Sequence, residues 1–154
     1  MRGRLPSFVA TIVACATAPG SSALAVVRLS GSAAFEIAQI VAPTSRPRAT
    51  HRLALADIRS VHGCVIDRAL VVEMHAPRSY TGESVVEFHV HGSAALIQCV
   101  IDHCVALGAR HAEPGEFTLR AFASGRLSLD QAESVATLIA SRNEQELSAA
   151  VHSI

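Results

Sequence analysis

From Val9 to Thr17 the chain is apolar and rich in β-branched residues, which predicts a strand. Ala18-Pro19-Gly20-Ser21-Ser22 is a turn cluster, and Leu24 to Leu29 reads as a second strand, so the pair forms a hairpin with a wide loop. Ser32 is placed to cap a short helix whose inward face carries Ala34, Ile37, Ala38 and Val41. Pro43 to Arg52 is a polar loop with two prolines. Leu53 to Val61 and Cys64 to His75 read as two more strands around His62-Gly63, and Pro77 to Gly82 is a loop. Val85 to His91 alternates sharply. Val85, Glu87, His89 and His91 fall on one face, and Val86, Phe88 and Val90 on the other.

Ser93 to Leu107 has the pattern of a strongly apolar helix with a thin polar stripe at Gln98 and Asp102, and Gly108 is placed to end it. Glu113-Pro114-Gly115 is a turn that precedes a short helix over Glu116 to Ser124. Ser128 and Gln131 fit a capping box, and a helix runs from there towards the end of the chain. Its apolar stripe, Ala132, Val135, Ala136 and Ile139, resumes at Leu147, Ala150, Val151 and Ile154 after the polar stretch Ser141 to Glu146. Little sequence remains to cover that stripe. Strands and helices mix without a regular β-α-β alternation, which predicts an α+β fold: a largely antiparallel sheet with helices packed on it, plus the C-terminal helix.

Composition narrows the chemistry. The chain has 154 residues, half of them hydrophobic and 17% charged, so one domain with a real core is expected and disorder is not. Formal net charge is zero, which excludes nucleic-acid binding by bulk charge alone. All the basic residues are Arg and none is Lys, which removes a Walker A phosphate loop and a Schiff-base mechanism from these residues. Cys15, Cys64, Cys99 and Cys104 form no C-x-x-C pair and read as free buried thiols of a reducing compartment. No apolar run reaches membrane-spanning length. Arg2 and Arg4 precede the first acidic residue, Glu36, as in a mitochondrial address, but strand-like sequence begins almost at once and leaves little room for one.

Four places carry candidate chemistry. Glu87, His89 and His91 line one strand face. His-x-His with a carboxylate has the composition of a metal site, but further ligands cannot be placed, so no metal is assigned and a polar face lining a cleft or an interface is preferred. The loop Pro77-Arg78-Ser79-Tyr80-Thr81-Gly82-Glu83 fits either a cover over a planar ligand or a capped turn, with Ser79 and Thr81 on local backbone and Gly82 at positive φ. Glu116 and Arg120 lie at i and i+4 and read as a helix-stabilising pair beside two core phenylalanines, Phe117 and Phe122, followed by Arg126 in an exposed turn suited to an anion. Arg28 ends the second strand just before Ser30-Gly31.

Three stretches in order resemble one family. They are Thr11 to Gly20 (TIVACATAPG) running into Val27 to Gly31 (VRLSG); Ser79 to Gly92 (SYTGESVVEFHVHG); and Pro114 to Phe122 (PGEFTLRAF) running into Gly125 to Glu133 (GRLSLDQAE). The chain resembles the N-terminal part of the MnmE (TrmE) tRNA-modification GTPases from Thr11 onward. The resemblance implies a fold like the tetrahydrofolate-binding domain of the glycine-cleavage T-protein. It assigns residues 1–126 to a folate-binding and dimerisation domain and residues 127–154 to the first helix of a truncated helical domain. Formyl-tetrahydrofolate is the implied cofactor. GTP, Mg and K belong only to the family's G domain, which these residues do not contain.

The implied partners are a second copy of the chain, an FAD-dependent modification protein and, through that complex, a tRNA whose wobble uridine gains an aminomethyl-type group. No membrane is implied, and the location is the cytoplasm, or the mitochondrial matrix in a eukaryote. Arg28 and Glu87 match folate-contacting positions, and Arg126 stands where many members have Lys. Glu87 would accept the paired donors of the pterin, Arg28 or Arg126 would meet the anionic tail, and Tyr80 would lie beside the ligand. Ser21-Ser22 and Ser93 replace glycines common in the family. A stand-alone folate-dependent one-carbon transferase resembling the T-protein is the competing function. No catalytic residue is assigned.

Overall fold

A computed structural model describes residues 9–151. Arg2, Arg4 and Ile154 lie outside that range. Six strands and five helices are found among the described residues: β1 Ile12–Cys15, β2 Ser22–Ser30, α1 Ala34–Val41, β3 Ala54–Arg59, β4 Val65–Met74, β5 Val85–Gly92, α2 Ala94–Ala106, β6 Arg110–His111, α3 Glu116–Ala123, α4 Leu129–Ala140 and α5 Glu144–Val151. The strands make one sheet in the order β3-β4-β5-β2-β1-β6. Every neighbouring pair is antiparallel except β1 with β6. The fold is therefore the α+β class that the mixed periodicities predict.

The described chain separates into two compact units, one running to Ser79 and including Glu83–Ala112, the other comprising Tyr80–Gly82 and the chain from Glu113. This division follows packing, whereas the one drawn after Arg126 follows family resemblance. The first unit holds the sheet, α1 and α2. Strand alternation sends Val13, Val27, Leu29, Val86, Phe88, Val90 and Val71 to one face, where Ile37 and Val41 of α1 and Val100 and Cys104 of α2 bury them. The same alternation sends Arg28, Glu87 and His89 to the opposite face. A one-residue slip would bury those charges and expose the apolar set, so the core fixes the register.

α1 presents the expected buried face, Ala34, Ile37, Ala38 and Val41. Its cap differs from expectation. The N-cap is Ala33, and the Thr11 hydroxyl of the neighbouring loop accepts from Ala33 N at 3.0 Å, so Ser32 does not cap. A hydroxyl brought by another segment replaced the local one. β1 is shorter than the predicted Val9 to Thr17 at both ends, and past its end Thr17 receives Val26 N through its side chain at 3.3 Å.

In the second unit, α3 packs with α4 and α4 with α5. The capping box at Ser128 and Gln131 is present. The predicted continuous terminal helix is broken at Ser141, which has extended backbone. Asn143 restarts it, because its side chain accepts Glu146 N at 2.9 Å and donates to the Glu146 carboxylate at 2.8 Å. No residue of α4 is buried, and Leu129 and Ile139 are 56% and 80% exposed.

Candidate ligand-binding surface

Arg28 on β2 and Glu87 on β5 are direct cross-strand partners. The guanidinium Nε and Nη2 both donate to Glu87 Oε1 at 2.8 Å, and the two side chains are 23% and 16% exposed. The pair follows from the register, since Val27 opposite Phe88 and Leu29 opposite Val86 hold the other face of the same two strands. His89 approaches Glu87 Oε2 with Nε2 at a looser 3.3 Å. One carboxylate oxygen is thus clamped by a planar cation, while the other keeps acceptor capacity for a donor from outside. Sequence reasoning sent Arg28 and Glu87 to different parts of a ligand; here they form a single unit.

Further along β5, His91 N donates to Asp67 Oδ2 at 3.0 Å and His91 Nδ1 lies 2.8 Å from Asp67 Oδ1. The β4–β5 pairing ends at Leu70 opposite His89, so the Asp67 carboxylate takes the place of a ladder carbonyl for the next stretch of β5. Asp67 is 8% exposed at its side chain and His91 74%. Burial alone would raise the Asp67 pKa, but hydrogen bonds from His91 backbone and ring and from Arg68 N outweigh it and hold the carboxyl below its ordinary value. Sequence reasoning singled out His91 but missed Asp67. The two stand far apart in sequence, and only the strand register relates them.

Tyr80 and Arg126 lie in the second unit. The Tyr80 hydroxyl is 2.8 Å from Thr118 Oγ1, and Ser124 Oγ donates to Thr81 O at 2.7 Å. Gly82 has φ of 78°, and a Cβ there would meet Ser124 Oγ at 2.7 Å and Arg126 Cγ at 3.1 Å. The Arg126 side-chain stem therefore runs past Gly82, and the residue is exposed. Within the first unit, Ser79 Oγ donates to Glu83 O at 2.6 Å and Ser30 Oγ to the Glu83 carboxylate at 2.6 Å. These bonds are those of a capped turn. Glu116 and Arg120 pair at 2.9 Å as expected from their spacing, and both are nearly inaccessible, but Phe122 is 42% exposed and Phe117 half-buried rather than in the core. Among the described residues no three His, Cys, Asp or Glu side chains converge as metal ligands. Nor is any described helix long and apolar enough to cross a membrane.

The family described as "GTP-binding protein TrmE N-terminus" matches residues 11–126. Several curated proteins called "tRNA modification GTPase MnmE" are similar to the chain. That of Synechococcus sp. strain JA-2-3B'a(2-13) is 49% identical over 140 residues, which cover 88% of this chain and 30% of that protein. That of Synechococcus sp. strain ATCC 27144 is 48% identical over 149 residues, covering 94% and 32%. That of Thermosynechococcus vestitus is 50% identical over 141 residues, covering 88% and 30%. The chain spans about a third of the length of these relatives.

Proposed function

The chain belongs to the family of TrmE N-terminal domains, and from that premise we propose that it serves a tRNA modification GTPase as the part that binds a formyl-tetrahydrofolate and pairs with a second copy of itself. In the whole protein, acting with an FAD-dependent partner, the bound folate supplies the one-carbon unit for an aminomethyl-type group on a wobble uridine. GTP turnover belongs to other parts of such a protein, since these residues contain no Lys for a phosphate loop.

The observation that carries the folate reading is the Arg28–Glu87 pair. A pterin presents an amino group and a ring N–H side by side. Glu87 meets such a pair of donors with a carboxylate whose position is fixed by Arg28 on one side and by the packed strand beneath it. Fixing the acceptor before binding lowers the ordering cost on association. Fluorescence titration with 5-formyltetrahydrofolate tests the reading. Wild type is expected to saturate, and Glu87→Gln to weaken binding by about tenfold to a hundredfold, the size of a lost charged hydrogen bond. Absence of saturable binding by wild type overturns the folate reading. Equal binding by Glu87→Gln overturns the assignment of the contact.

A further inference from the structure

His91 makes two bonds to one carboxylate. Its backbone N–H already caps onto Asp67 Oδ2. The additional bond from the ring to Asp67 Oδ1 fixes the imidazole orientation while leaving the side chain 74% exposed. Asp67 keeps its carboxyl ionised through bonds from His91 and Arg68 N, so Nδ1 must carry the proton that faces it. In the neutral ring the lone pair then sits on Nε2. Among the described residues no protein group bonds Nε2.

The other charged groups on these strands are spoken for. His89 and Arg28 attend Glu87, and Arg68 lies 3.7 Å from Asp57. Glu87 and His91 are four residues apart on one strand, roughly 13 Å by strand rise. Arg28, bound to Glu87, is not placed at that distance. An elongated ligand whose head meets Glu87 has His91 as the titratable group further along β5.

We propose that His91 is a proton-linked anchor for a carboxylate of the ligand bound on this strand: its Nε2 takes a proton from solvent as the carboxylate arrives, leaving an imidazolium between that carboxylate and Asp67. No covalent bond changes; one proton moves from water to Nε2. The inference rests on the folate reading above, whose glutamyl tail supplies the carboxylate. A carboxylate arriving beside an imidazole favours its charged form, so binding and protonation reinforce each other.

Calorimetry with 5-formyltetrahydrofolate in two buffers of different ionisation enthalpy reads the proton count. Wild type is expected to take up as much as about one proton on binding, and its affinity to fall by up to about tenfold per pH unit on the alkaline side. His91→Gln removes both effects. Asp67→Asn shifts the pH profile towards lower pH, which a merely structural Asp67 would not do. Saturable binding without uptake, or uptake that survives in His91→Gln, overturns the His91 role and leaves the folate reading intact; absence of binding overturns the folate reading instead. Nitrogen-15 spectra of the imidazole in the ligand-free protein give an independent check. The neutral His91 ring is expected as the Nδ1–H form, and an Nε2–H form overturns the inference whatever the ligand result.

Discussion

Cys104 and Asp67 have their acid–base behaviour set by their surroundings. Burial pushes the Cys104 thiol up to about 12. Below the ordinary thiol value of 9.0 both folded and unfolded chains hold the proton; between there and about 12 only the folded chain does, so stability falls as pH rises. Urea midpoints near pH 8 and near pH 10 should therefore separate less in Cys104→Ala than in wild type. Of the four thiols expected to be buried only Cys104 is, while Cys64 and Cys99 are exposed. Native alkylation read by mass spectrometry is expected to label Cys64 and Cys99 and to reach Cys104 only after denaturation. Asp67 has the opposite sign. Its lowered pKa contributes stability above the unfolded value of 3.8, and that contribution is lost as pH falls through the folded value. Asp67→Asn should flatten the acid limb of a stability profile. At this scale the sequence was legible where partners are near one another in the chain. Glu116 and Arg120 were readable from spacing, and Gly82 from turn chemistry. Arg28 with Glu87, and Asp67 with His91, are created by register, which residue spacing does not contain.

Within elements, α3 is a short helix built around a buried ion pair. Arg120 and Glu116 are each about as inaccessible as core side chains, and Glu116 also receives Glu113 N at 2.9 Å. Replacing Arg120 alone by Met strands a buried carboxylate and should cost roughly 3–5 kcal/mol in chemical denaturation. Replacing both residues by apolar ones of similar volume should cost far less, because no charge is left behind. In the sheet, Phe88 is fully buried, and Phe88→Ala is expected to lose about 3–5 kcal/mol by the same measurement. The longer strands and helices were legible because their apolar periods are clean, as with the alternation of Val85 to His91, whereas β6, only Arg110–His111, is too short to carry a period and was missed. The misses came where a segment distant in sequence intervenes or a polar residue can cap. Thr11 displaced Ser32 at α1, and Asn143 divided a helix whose apolar stripe looked continuous.

Across the whole molecule, α4 buries none of its residues, and Leu129, Ile139, Leu147 and Val151 are all substantially exposed. Together with the pairing proposed above, this leads us to expect twice the chain mass by light scattering at micromolar concentration; a clean monomer with an intact α4 would sink that expectation. Saturable GTP binding by these residues is not expected in calorimetry, since they lack the Lys and glycine-rich loop that hold a triphosphate. Tyr80, Thr81 and Gly82 belong to the second unit, although the chain on both sides of them belongs to the first. Thr118 and Ser124, which bond Tyr80 and Thr81, come later in the sequence, as does Arg126, whose stem runs past Gly82. On a ribosome the strands flanking this tripeptide are made well before the residues that tie it down. During synthesis the turn can close through Ser79 and Glu83, but the bonds of Tyr80 and Thr81 to Thr118 and Ser124 must wait until α3 has left the exit tunnel.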